Sequence, residues 1–130
     1  MSLTRFLNRL GLFFVALLGL APFASLAQVE VKEITTRPGV TVKFLYYKAK
    51  NPIATAILFN GGSGFIGIFP NGQTRSEGFT PTSAPYYLAQ DISVVVPDTP
   101  SDRMHLNHFR NSPEHAADNA RSEEHTSELQ

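Results

Sequence analysis

The chain contains no cysteine and no tryptophan, only 17% of its residues are charged, and 11 Lys and Arg exactly offset 11 Asp and Glu. Without cysteine there is no disulfide framework, no thiolate metal site and no thiol for lipid attachment. Without a surplus of positive charge there is no basic stripe to hold nucleic acid or an anionic membrane, so neither partner is expected. Internal repeats and low-complexity tracts are also missing. A chain with these gaps must draw its stability from an ordinary packed core.

The N-terminus has the pattern of an export signal. Arg5 and Arg9 give a positive start, Gly11 to Ala21 an apolar stretch, and Ser25-Leu26-Ala27 a small-x-small cleavage site before Gln28. The stretch is too short to span a bilayer, so residues 1–27 are expected to be a cleaved signal peptide, with no stable membrane anchor and a periplasmic or secreted product. At the other end, Arg121 to Gln130 (RSEEHTSELQ) resembles a translated sequencing-adapter oligonucleotide. It is set aside as an artefactual tail, and Glu123, Glu124, His125 and Glu128 are not read as a site. The other reading is a polar C-terminal helix, since SEEHTSEL has no helix breaker. Residues 28–120 remain, enough for one domain or the N-terminal part of one.

Within them, Val29 to Thr35, the turn Arg37-Pro38-Gly39, and Val40 to Tyr47 read as an antiparallel hairpin, with Val40, Val42, Phe44 and Tyr46 alternating onto a buried face. Thr55 to Phe59 and Ile92 to Val96 are continuous apolar runs, the pattern of strands buried on both faces of a mostly parallel sheet. Between them a helix is expected with Thr82 or Ser83 as cap, Pro85 in its first turn, and Tyr86 and Tyr87 in the core. A second helix opens at Ser112, with Pro113 first and Glu114 at the positive end of the helix dipole. The fold class is therefore α/β: an antiparallel hairpin followed by the start of a parallel βαβα series, an incomplete sheet.

The first strand of that series runs into some twenty residues without periodicity, containing Gly61, Gly62, Gly64, Gly67, Asn71-Gly72 and Gly78. A long loop at the carboxyl end of a buried strand lies where open α/β sheets place ligands. Asn60-Gly61-Gly62-Ser63-Gly64 can turn its amides inward, because glycine accepts positive φ and lets a ligand approach the main chain. Such donors stabilise the oxyanion of acyl transfer. Phe65, Ile66, Ile68 and Phe69 are too apolar for an idle loop and are expected to cover the site or its entrance.

These pieces resemble the α/β-hydrolase family, and more narrowly a group of exported bacterial hydrolases. The resemblance runs through the hairpin, Thr55 to Gly64, the strand Ile92 to Val96 with Pro97-Asp98-Thr99-Pro100-Ser101-Asp102-Arg103, and Phe109 to Asp118. It implies an N-terminal part of a secreted serine hydrolase acting on an ester, amide or related acyl bond of a small-molecule substrate. The oxyanion donor would be Gly62 or Ser63, with Gly61, Gly64, Phe65, Asp98 and Arg103 lining the loop or the substrate. Nucleophile, acid and base would follow the residues present, leaving this piece inactive.

Other readings of the same residues stay open. Gly62-x-Gly64-x-x-Gly67 matches a dinucleotide fingerprint, but Pro70 and Asn71-Gly72 bar the helix that fingerprint must open. Gly61-Gly62-Ser63-Gly64-Phe65 nearly matches a nucleophile elbow but lacks its second glycine. The loop can also be a plain structural turn, or the contact surface of a secreted, non-catalytic ligand-binding module. Asp98, Asp102, His105, His108 and His115 have no standard zinc spacing, so neither metal nor cofactor is expected. Asp98 and Asp102 are expected to cap turns and to pair with Arg103 or Arg110, while His105 and His108 lie on the surface and His115 faces away from the loop.

Overall fold

The computed structural model describes Val29 to Leu129 except Glu77. The expected signal peptide lies outside the described residues. Strands β1 (Val29–Arg37) and β2 (Val40–Tyr47) pair antiparallel around Pro38-Gly39. Gly39 takes φ +72°, which its missing Cβ permits at little cost. Val40, Val42, Phe44 and Tyr46 are buried as the alternation predicts. Leu45, on the opposite face, is fully buried too, so β2 is covered on both sides.

Strands β3 (Ala54–Ile57) and β4 (Ile92–Pro97) are parallel, and β4 pairs antiparallel with β2, giving a mixed sheet in the order β1-β2-β4-β3 among the described residues. Helix α1 (Phe79–Leu88) makes the crossover between β3 and β4. On its side of the sheet Leu45, Val94 and Val96 pack with Ala84 and with Ile66 and Ile68 from the glycine loop. The other face carries Phe44, Tyr46 and Val95. The second helix, α2 (Pro113–Ser127), lies against β1. This is an α/β arrangement in which β4, buried from Ser93 to Pro97, is the central strand, as its apolar run requires.

Three local expectations are corrected. The strand placed at Thr55 to Phe59 is the shorter β3, half-buried at the sheet edge, with Phe59 44% exposed; its one neighbour among the described residues is β4, so its apolar run is not enclosed on both faces. Helix α1 begins three residues before the expected cap. Gly78 occupies the cap position, Pro81 is the proline of the first turn, where a missing amide costs nothing, and Pro85 stands inside the helix. The hydroxyls of Thr82 and Ser83 donate to the carbonyls of Gly78 and Thr80 at 3.2 and 2.9 Å instead of capping. Tyr87 packs on the core, but Tyr86 is 75% exposed, because successive residues of a helix point about 100° apart and Ala84 and Tyr87 share the sheet-facing stripe.

At the start of α2 the Ser112 hydroxyl accepts from the His115 amide at 3.1 Å, with Pro113 first and Glu114 in the first turn, as read from the sequence. The helix continues through Arg121 to Ser127, burying Ser122 and Thr126 and setting His125 edge-on to Phe44 with ring centroids 6.1 Å apart. No helix of the described residues is long and apolar enough to cross a membrane.

Replacing Leu45 by alanine is expected to lower unfolding stability by about 2–5 kcal/mol through the lost burial and the cavity left behind. Ile53, 77% exposed, should tolerate the same change within about 0.5 kcal/mol. Urea unfolding of both variants measures the contrast.

Candidate active-site loop

Past β3 the Leu58 amide donates to Val95 at 2.8 Å, and the chain then leaves the sheet. Gly61 to Gly64 forms a tight turn closed by the Gly64 amide donating to the Gly61 carbonyl at 3.0 Å. Gly62 has φ +57° and Gly64 φ +79°. Gly64 cannot be replaced cheaply: a Cβ there would lie 2.7 Å from Leu106 Cγ. The Leu106 amide donates to the Ser63 carbonyl at 2.7 Å, and Nη2 of Arg110 donates to the carbonyls of Asn60 and Gly62 at 3.0 and 2.8 Å. Gly61, Gly62 and Ser63 are exposed, and among the described residues the amides of Gly62 and Ser63 donate to no protein acceptor.

Beneath this turn the loop is held by Asp98, the first residue after β4. Its Oδ1 accepts from the amides of Ile66 and Thr99 at 2.9 and 2.8 Å, and its Oδ2 from Gly67 and Ile68 at 2.9 and 3.1 Å. A carboxylate receiving four amides is far more than a turn cap. It is also occupied, with both oxygens directed at the protein's own backbone. The bonded stretch sends Ile66 and Ile68 into the core and leaves Phe65 and Phe69 at the surface, 37% and 39% exposed. Only the two phenylalanines, therefore, are placed to cover anything outside the loop.

The expected ion pair of Arg103 with Asp102 forms, at 3.9 Å, but the closer arginine pairings differ from expectation. Arg37, at the end of β1, takes both acidic partners: its Nε and Nη2 donate to Asp118 at 2.8 and 3.0 Å, and its Nη1 and Nη2 to Asp102 at 3.2 and 3.1 Å. Hydrogen bonds donated to Asp118 and then to Asp102 hold the Arg37 guanidinium above its ordinary value, and the bond accepted from Arg37 holds the Asp102 carboxyl below the usual carboxylate range. Arg103 lies over the Phe109 ring at 4.5 Å, with Asp102 only at 3.9 Å, and Arg110 turns to the glycine loop. Neither Arg37 nor Asp118 had a local signal beyond its charge, because they meet across 81 residues.

His115 faces inward rather than away from the loop. It belongs to the stripe His115, Asp118, Ser122 that α2 buries, and its ring lies 5.5 Å from that of Phe109. With Asn60, Asp98, Leu106 and Asp118 it lines a cavity of about 10 Å³, room for one water at most and far too little for an acyl substrate. Its Nδ1 is buried without a hydrogen-bond partner among the described residues. Burial lowers the His115 pKa, Arg110 and Arg37 add to that, and Asp118 opposes it. His105 and His108 lie on the surface, His108 with φ +60°. Among the described residues no group of three His, Cys, Asp or Glu is placed to hold a metal.

Comparison with family models, curated proteins and solved structures returns no match to this chain. The site's chemistry must therefore be argued from its geometry. The dinucleotide fingerprint gains nothing: after Gly67 the chain forms a short bridge between Ile68 and Thr74, and the next helix begins at Phe79. Ser63 sits within the turn and opens no helix either, so it lacks the setting of a nucleophile elbow.

Replacing Asp98 by asparagine keeps the size but presents N–H groups to N–H donors, and is expected to cost about 2–3 kcal/mol with faster amide exchange at Ile66, Gly67 and Ile68. Asp102→Asn, at an exposed pair, should cost about 1 kcal/mol or less. Hydrogen exchange with urea unfolding separates the two.

Because His115 binds its proton more weakly in the folded chain than in the unfolded one, acid favours unfolding. The stability it protects is complete above about pH 6.5 and is lost as pH falls from there through the lowered folded value. Melting temperatures measured from pH 7.5 down to 5 should fall less steeply in His115→Gln than in the unaltered chain.

Proposed function

We infer that the chain is the N-terminal part of an exported α/β-hydrolase that cleaves an ester, amide or related acyl bond through a serine nucleophile, and that its glycine loop provides one oxyanion donor. The observation that carries this reading is the exposed amides of Gly62 and Ser63, left without protein acceptors among the described residues on a turn whose Gly61, Gly62 and Ser63 carbonyls are all held by donors. The turn leaves the third strand and precedes the first helix, the position from which the family donates one oxyanion N–H, the second coming from the residue after the nucleophile. A preorganised donor of this kind does its work because nothing must reorient when charge develops.

Two further points belong to this reading. The nucleophile, acid and histidine base belong to later residues of such an enzyme, since Ser63 lacks an elbow and His115 is enclosed around a water-sized cavity. Export by the N-terminal signal would place the enzyme in the periplasm or outside the cell.

The reading frame beyond residue 120 is the first test: a strand with G-x-S-x-G and a later acid and histidine are expected, and a continuation without them would sink the enzyme in favour of a secreted binding module. Kinetics on the full-length protein then address the loop. Gly62 cannot be probed by proline, because φ +57° is closed to that ring, but Ser63 can. Ser63→Pro removes the unbonded amide together with the hydroxyl that accepts from the Phe65 amide at 3.4 Å, and Ser63→Ala removes that hydroxyl alone. The proline variant should lower kcat on a model ester about 10²- to 10³-fold with little change in KM, while the alanine variant keeps near-parental turnover.

A further inference from the structure

Within the reading just given, we propose that Arg110 is a positioning residue that sets which way the Ser63 amide points. Gly62 has positive φ and Ser63 does not, the sign pattern of a type II′ turn with glycine at its first central position. The peptide between those two residues can in principle flip, exchanging the directions of the Gly62 carbonyl and the Ser63 amide. Since the peptide unit is planar and trans, the two groups point opposite ways, and whatever holds one aims the other.

Arg110 holds the carbonyl. The two N–H bonds of its Nη2 are divided between Gly62 at 2.8 Å and Asn60 at 3.0 Å, so one nitrogen fixes two peptide units of the turn. The Ser63 amide must then face away from the guanidinium, towards the open side of the loop. A second restraint acts in the same direction, because the flipped turn would need positive φ at Ser63, which a residue with a Cβ resists. The Leu106 amide, donating to the Ser63 carbonyl at 2.7 Å, anchors the next peptide to the segment that carries Arg110. Both hydrogen bonds of Arg110 go to backbone carbonyls of the turn, so it acts through the backbone. The usual roles of a loop arginine, an ion pair or a grip on a substrate carboxylate, are not the ones its hydrogen bonds serve.

The experiment uses the full 130-residue chain labelled with ¹⁵N. In the unaltered chain, separate Arg110 Nη resonances are expected, since two hydrogen bonds hinder rotation of that group, and Gly61 to Gly64 should have order parameters of about 0.85. Arg110→Gln should drop those at Gly62 and Ser63 below about 0.6 with the melting temperature nearly kept, and Arg110→Lys, a single point charge without the planar fork, should fall between. Averaged Nη resonances in the unaltered chain, or an unchanged turn in a folded Arg110→Gln, would overturn the proposal; the first of these needs no variant to fold. The kinetic arm measures the full-length enzyme. Arg110→Gln should lower kcat about 10²-fold with KM little changed, and lysine should restore part of the loss. A loosened turn with parental turnover would overturn the hydrolase reading while leaving Arg110's hold on the turn in place.

Discussion

The glycine loop depends on one carboxylate. Asp98 stands where β4 leaves the sheet and accepts three successive amides, Ile66, Gly67 and Ile68, in addition to that of Thr99. Three adjacent N–H groups in an extended strand would point to alternate sides. They converge here because Gly67 adopts φ +68°, where a Cβ would come within 2.9 Å of the Phe65 ring and 3.0 Å of Arg75. Buried amides without acceptors cost about 1–3 kcal/mol each, so the loop could not enter the protein without such a partner. Once it does, Ile66 and Ile68 join Leu45, Val94 and Val96, and a stretch with no periodic structure becomes part of the hydrophobic core.

The far side of the loop is built by a different set of charges. Arg37 ties the end of the first hairpin to Asp118 in α2 and to Asp102 in the connection that follows β4. That connection carries Leu106, Phe109 and Arg110, and the Phe109 ring has the guanidinium of Arg103 over it and the tilted ring of His115 beside it. The neutral balance of the composition is thus spent locally, on fork-shaped pairings that suit arginine better than lysine. The turn at Gly61 to Gly64 is pinned from this segment by Leu106 and Arg110 and from β4 by Asp98 a few residues further on. Gly61, Gly62 and Ser63 stay exposed beyond the carboxyl end of a parallel strand, and among the described residues their amides have no protein acceptor.

Much of the framework was legible from the chain. The alternation of Val40, Val42, Phe44 and Tyr46, the apolar run of Ile92 to Val96, and the serine and proline opening α2 each carry their own local signal, and each holds. Pattern failed where a neighbour decided. Thr55 to Phe59 and Ile92 to Val96 read alike, yet one lies at the edge and the other at the centre of the sheet. Thr82 and Ser83 are good caps by type, but the helix had already started at Phe79 and their hydroxyls were taken up by its own carbonyls.

Periodicity, capping and turn chemistry act over a few residues, so the α/β class, the hairpin, the central strand and a glycine loop at a strand's end could be read from the chain alone. Which side chains meet was settled by packing. Asp98 reaches Gly67 across 31 residues, Arg110 reaches Gly62 across 48, and Arg37 reaches Asp118 across 81. At such separations an arginine has several carboxylates and carbonyls of the right type available, and the selection follows from strand order and helix placement. The same packing turned His115 inward and assigned Arg110 to the backbone of the loop, choices that no spacing along the chain encodes.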